Sequence, residues 1–362
     1  MIERKNPTII RFLSYLITLI IILTIVVVFL SMLNDNPFNV IISIGEGAFG
    51  SFARTYRTLL IFVPIALSCA ALSVTFRSGM WNIGIEGQII LGAIGASMIA
   101  RSIIGESQLS PLVSLSAGVL FGAIWGLISG ILRTTSNVHE IFAGLGLNFV
   151  GAGLVIYLII GPWKRIGVAS TSGTDIFPQT AWLPDIGNGL PLPALLIVGV
   201  LYLFLYGIFR WSVFGTILKA MGSNPDAAPR YYINADKYII YSFSLAGAIA
   251  GLAGGIQAIS FYHKLVPSIS GGFGFLGILI VLASSQKLHT SLIVSFLFSG
   301  MISAGPLLQI EYDIHSSVPW LLQAFVIAAW VFINYSSLHI KSAYFIRGLS
   351  NKITTNLLGL IK

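Results

Sequence analysis

The chain is 362 residues long, 56% hydrophobic and only 9% charged, with a formal net charge of +8. Ordinary soluble domains carry about 25% charged residues, so a soluble globule is excluded, and disorder, which needs low hydrophobicity and high charge, is excluded with it. What remains is a polytopic membrane protein: the apolar residues arrive in blocks of about 20, the length of an α-helix across a bilayer, without the alternation of a barrel strand.

The first block, Phe12–Leu33, runs 22 residues without a charge. It exceeds the roughly 7–15-residue core of a signal peptide, no small-x-small cleavage site follows it, and it reads as a membrane helix. Further blocks cover Thr58–Phe76, Ile83–Ala100, Pro111–Leu132, Val138–Ile160, Leu192–Phe209, Ile239–Phe261, Phe273–Ser285, Thr290–Ala304 and Val318–Asn334. The expected fold is all-α, about ten transmembrane helices in a membrane domain over 1–340, with a tail over 341–362. The eighth and ninth blocks are short for a span, and a re-entrant pair is the alternative there. In the tail, Tyr344, Phe345, Ile346, Leu357 and Leu358 mix with spaced Lys and Arg, as in an amphipathic segment lying on the inner leaflet.

Ten spans put both termini on one side. With the termini in the cytoplasm, 14 basic residues fall inside: Arg4, Lys5, Arg11, Arg77, Arg133, Arg210, Lys219, Arg230, Lys237, Lys287, Lys341, Arg347, Lys352 and Lys362. Six fall outside: Arg54, Arg57, Arg101, Lys164, Arg165 and Lys264. This positive-inside bias assigns the net charge to orientation and not to a nucleic-acid partner. The single cysteine, Cys69, excludes an intrachain disulfide and reads as an inert buried thiol.

Gly118, Gly122, Gly126 and Gly130 recur every four residues on the fourth block, and Gly247, Gly251 and Gly255 on the seventh. Such ridges let helix backbones approach closely where lipid offers no hydrophobic driving force, so both series read as packing faces. Gly272–Gly277 fits GxGxxG, but no Asp or Glu occurs between Asp236 and Glu311, and the motif opens a membrane block. The nucleotide reading therefore fails, and glycines bending backbone within the membrane fit better. No glycine is followed by lysine, so the chain has no P-loop of its own. The five histidines are far apart in sequence and show no local metal-ligand spacing.

Two stretches carry the functional signal. In Phe76–Gln88, Arg77, Asn82, Glu86 and Gln88 sit among glycines at the mouth of a span, where ionisable groups are expensive and mark a pathway or a paired structural site. The plainer reading puts Glu86 in the first turn of its helix, favoured by the dipole. Glu140 and Asn148 raise the same question on the fifth block. Gly215–Ala228 reads as a short helix, a Gly-Ser-Asn-Pro break and a second helix start at Pro225-Asp226, either an ordinary solvated connection or a protein-docking element between spans.

Phe76–Gln88 resembles the FRAGxFNIGxEGQ signature of permease subunits in bacterial ABC importers of the nucleoside and simple-sugar type, related to ribose and branched-chain amino-acid permeases. Gly215–Ala228 is similar to that group's GxxxRAxGxNxxAA loop, and Ala246–Gly255 to its SGALAGLAGA span. Together the three cover most of Thr58–Ala304. The sequence departs in three places: Trp81 stands for the usual Phe, Lys219 where Arg is common, and Pro229 and Tyr232 disturb the AARYAGI that normally follows.

The resemblance implies a non-enzymatic permease in a bacterial cytoplasmic membrane. It would pair with a second permease, a different chain, with cytosolic ATPases holding ATP and Mg, and with an extracytoplasmic substrate-binding lipoprotein. The segment carrying Lys219, Gly222, Asn224, Pro225, Asp226, Ala227 and Ala228 would dock on the ATPase. Trp81, Asn82, Glu86, Gln88, Asn148 and Phe275 are candidates for lining or shaping a nucleoside path. Ser78–Ile85 faintly echoes Ser270–Ile278, one expected at inner and the other at outer helix ends, as in an inverted repeat around a central path. Riboflavin, a simple sugar or another small polar solute is the alternative cargo, and a stand-alone secondary transporter the alternative class.

Overall fold

The computed structural model describes residues 20–32, 36–136, 138–165, 167, 171–185, 189–224 and 234–331. The tail at 341–362 and Pro225, Asp226, Ala227 and Ala228 of the expected docking segment lie outside the described residues. The described chain is helical: α1 (Ile20–Ser31), α2 (Pro37–Phe49), α3 (Phe52–Arg77), α4 (Ile85–Ala100), α5 (Ser110–Thr135), α6 (Glu140–Ile160), α7 (Leu192–Trp211), α8 (Val213–Ser223), α9 (Ala235–Ile256), α10 (Phe273–Ala283), α11 (Leu288–Tyr312) and α12 (Val318–Val331).

Among the described residues each of the ten apolar blocks overlaps a helix, and six of these helices are long and apolar enough to cross a membrane; α4 and α10, and the described parts of α1 and α12, are shorter. The ninth block is corrected. The residues at 290–304 are the core of α11, a 25-residue helix with Pro306 inside it, long enough to span by itself. The helix runs on past the end of the block at Ala304, because a membrane helix can absorb a proline when its surroundings re-satisfy the freed backbone.

The helix boundaries follow local chemistry. Ser51 accepts a hydrogen bond from the Arg54 N–H at 3.3 Å and caps α3, which starts at Phe52, before its apolar block begins at Thr58. Asn234 caps α9 through the Lys237 N–H at 3.2 Å. The end of α9 widens into a π-helical turn, Gln257–Phe261.

The helices form two compact units. In the first, residues up to 44 and from 304 onward, Phe29 packs on Phe325 with ring centroids 5.1 Å apart, and the Ser43 hydroxyl donates to Glu311 at 3.0 Å. The second, Gly45–Ser303, is built around α3, in whose most apolar stretch 89% of residues are buried, against 22% in α7. Here the two glycine series lie face to face. A Cβ on Gly122 would strike the Gly247 carbonyl, and one on Gly126 would lie 3.1 Å from the Gly247 Cα. At Gly118 a Cβ would sit 3.1 Å from the carbonyls of both Gly251 and Gly92. Thus α4, α5 and α9 cross without intervening side chains, and the gain is dense backbone packing.

Candidate functional site

The site grows out of the break between α3 and α4. Beyond Arg77 the chain turns through Gly79 at φ 80°, a left-handed position that favours glycine. The turn is closed by N–H bonds from Gly79 to the Phe76 carbonyl and from Met80 to the Thr75 carbonyl, at 3.0 and 3.1 Å. The chain then runs through Asn82-Ile83-Gly84 to start α4 inside the helical packing. Asn82 and Gln88 are both fully buried and exchange two amide hydrogen bonds, at 3.0 and 3.1 Å. Asn148 on α6 clamps the same start from the side: its carbonyl accepts from the Gly87 N–H at 2.7 Å and its amide donates to the Ile83 carbonyl at 2.9 Å. Gly84 and Gly144 let α6 come this close, a Cβ on Gly84 lying 3.0 Å from the Gly144 Cα.

Glu86, 4% exposed, occupies the first turn of α4 and reaches the first turn of α10. Its carboxylate accepts from the Phe275 N–H at 3.0 Å and bonds the Gly274 N–H and the Ser270 hydroxyl. The carboxylate therefore sits in the first turn of α4 and serves the start of α10, where unsatisfied N–H groups and the helix dipole favour negative charge. Gly274 must lack a side chain, since a Cβ there would sit 2.8 Å from Ile85 and 2.9 Å from the Glu86 carboxylate. The echoing segments Ser78–Ile85 and Ser270–Ile278 were expected at opposite ends of the spans. The structure brings the two helix starts into contact through the Glu86 carboxylate, which accepts from the Phe275 N–H of α10.

The six path candidates therefore divide. The polar ends of Asn82, Gln88 and Asn148 are bonded around the start of α4, and that of Glu86 joins α4 to α10. Trp81 and Phe275 are 41% and 45% exposed, with Trp81 tilted on Phe76 at 5.3 Å. They are not adjacent in the small recess at Trp81, which Leu282 and Gln286 complete. Glu140 is engaged elsewhere, paired with Arg133 at 2.9 Å.

The two functional stretches meet. Gly222 on α8 packs on the turn after α3, where a Cβ would strike the Arg77 carbonyl and lie 3.0 Å from the Gly79 nitrogen. Arg77 ties the corner between α7 and α8, donating to the Gly215 carbonyl at 3.2 Å and the Phe209 carbonyl at 3.1 Å, with its guanidinium 4.5 Å from the Phe209 ring centroid. Lys219 and Asn224 are exposed on α8 and at its end. Arg77 stood out in the sequence without its partners, and Ser270 and Gly274 were given no role of their own there. The Ser-Gly-Gly before α10, set against the Ser-Gly before Met80, is the signal that could have found Ser270 and Gly274.

Among the described residues, no group of three His, Cys, Asp or Glu side chains is placed to hold a metal ion. The family described as "Branched-chain amino acid transport system / permease component" matches residues 54–334. Among curated proteins, the guanosine ABC transporter permease protein NupP of Bacillus subtilis is 25% identical over 318 residues, covering 85% of this chain and 86% of its own. The glucose ABC transporter permease protein TsgB13 of Haloferax volcanii is 27% identical over 75% of this chain and 74% of its own. A second guanosine permease of Bacillus subtilis, NupQ, is 25% identical over 61% of this chain and 72% of its own.

Proposed function

The chain belongs to the permease-component family of branched-chain amino acid transport systems, a multi-pass membrane protein, and we propose that it is the transmembrane subunit of an ABC importer whose cargo is a nucleoside. The observation that carries this reading is the agreement between the family match over 54–334 and a guanosine-permease relative aligned over 85% of the chain. The glucose-permease relative favours a second reading, the same machine carrying a simple sugar.

In this proposal both termini and α8 face the cytoplasm, as the excess of basic residues supports. ATP and Mg are bound by separate ATPase chains, and a substrate-binding lipoprotein delivers cargo from outside. NupP and NupQ are two distinct guanosine permeases of one organism, which supports a second, non-identical permease chain as the partner here. The segment from Lys219 through Gly222 and Asn224 to Pro225, Asp226, Ala227 and Ala228 docks on the ATPase. Closure of the ATPases then shifts α8, and the Arg77 hydrogen bonds and the Gly79–Gly222 contact pass that shift to the end of α3 and the segment leading into α4. Asn82, Gln88 and Asn148 keep the start of α4 rigid, and Glu86 ties it to α10, so the two half-helices respond together. Trp81 and Phe275, the exposed aromatic members of the set, offer stacking faces suited to a base.

The complex reconstituted in proteoliposomes with its partner permease, ATPases and binding lipoprotein tests the reading. ATP-dependent uptake of labelled guanosine, competed by other nucleosides and not by glucose, is expected. Glucose uptake without nucleoside uptake would replace the cargo and leave the permease in place. Uptake by this chain without any ATPase would overturn the ABC reading.

A further inference from the structure

At the shared end of α3 and α7 the surface opens into a cleft of about 420 Å³ lined by Arg77, Arg210, Lys219, Lys287 and His289. No carboxylate lines it among the described residues. Four cationic side chains from four elements converge there, and their mutual repulsion is relieved by an anion. The floor is fixed: two nitrogens of Arg77 are held by the Gly215 and Phe209 carbonyls. The far wall is fixed as well. Ser285 and Gln286 adopt left-handed φ of 51° and 59°, and the Lys287 N–H bonds the Ser284 carbonyl at 3.1 Å, so a tight turn presents Lys287 to the cleft.

The surroundings place this cleft at the edge of the bilayer and not out in water. Tyr206, which lines it, and Trp211 are 54% and 78% exposed and meet edge to face at 6.0 Å, as interfacial aromatics do at headgroup level. Leu196, Val200 and Leu203 are exposed on α7, at helical spacing from Tyr206 and Arg210, so an apolar strip leads from the lipid region to the cleft. We propose that the cleft holds the phosphate of an anionic phospholipid, with the acyl chains lying along α7 and the headgroup bridging the α7–α8 corner to the α10–α11 turn. Basic pockets beside membrane helices recognise such headgroups. The site is independent of the cargo, and it is separate from the buried Glu86 junction.

The test uses the assembled transporter in nanodiscs made from equal phosphatidylcholine and phosphatidylglycerol, extracted into detergent and analysed for retained lipid by native mass spectrometry. Phosphatidylglycerol should be retained in preference to phosphatidylcholine. In Arg210→Gln/Lys287→Gln retention should fall at least about tenfold, while the charge-conserving Arg210→Lys/Lys287→Arg keeps it and reports on folding. Inorganic phosphate in millimolar excess should not displace the lipid; displacement would make this a free-anion site and overturn the lipid assignment. Equal retention of both lipids would overturn it too, as would unchanged retention in the Gln variant or no retention in the assembled transporter.

Discussion

Glu86 shows what a carboxylate needs when it is withdrawn from solvent. A buried charge is tolerated only where its oxygens are fully hydrogen-bonded, and the Phe275 and Gly274 N–H groups and Ser270 supply those bonds. Glu86→Ala removes the acceptor and strands buried N–H groups, so stability should fall by about 2–4 kcal/mol. Glu86→Gln keeps the shape and one acceptor, and should lose roughly half as much. Denaturation of the purified protein in detergent reads both, and equal stability of wild type and Glu86→Ala would remove the carboxylate from this role. His263 offers a pH-dependent case outside the spans. It stacks on Trp182 with ring centroids 3.8 Å apart and bonds the Ile259 carbonyl at 3.1 Å. Burial holds its pKa below the usual 6.5, against the opposing pull of the Ile259 carbonyl and Asp185. The unfolded chain therefore takes the proton first. Stability is full above about pH 6.5 and is lost as pH falls from there through the lower folded value. His263→Phe keeps a stacking face and removes the titration, so the drop in melting temperature between neutral and mildly acid pH should be smaller than in wild type.

At the scale of elements, the contact of α5 with α9 depends on glycines on both sides. Gly122→Val would drive a side chain into the Gly247 carbonyl and cost about 1–3 kcal/mol as the helices separate. Gly153 on α6 has nothing within 4 Å of where a Cβ would lie, so Gly153→Ala should be neutral or stabilising by about 0.4–1 kcal/mol. Thermal melting of the two variants separates packing glycines from those that merely lie on a helix. The two glycine series were legible in the sequence because a four-residue period puts every member on one helix face. Less legible were elements whose limits owe nothing to hydropathy. α3 begins at Phe52, before its apolar block, because the Ser51 cap starts the helix while Arg54 and Arg57 still lower the apolar signal. α2 escaped notice since its 13 residues include Glu46 and come after the polar sequence Asn-Asp-Asn. In the site, the polar residues of Phe76–Gln88 stood out by composition, but their partners did not. The Asn82–Gln88 exchange spans a bend, and the bonds of Glu86 to α10 and of Asn148 to α4 join residues 189 and 61 positions apart. Such pairings exist only once the helices are packed.

For the molecule as a transporter, the proposed mechanism depends on a short run of backbone contacts between the docking helix and the buried junction. It passes from α8 through Gly222 to the Arg77–Gly79 turn, then along Asn82-Ile83-Gly84 to Glu86 and α10. Side-chain volume at Gly222 would push the turn away while leaving the exposed surface of α8 free to meet a partner. The most direct measurement is the ratio of nucleoside uptake to ATP hydrolysis in proteoliposomes containing the Gly222→Val transporter. The proposal predicts that hydrolysis persists while uptake per ATP falls at least about tenfold, since a local displacement can cost 10²-fold in a process that depends on geometry. An unchanged ratio in a folded, assembled Gly222→Val complex would contradict it.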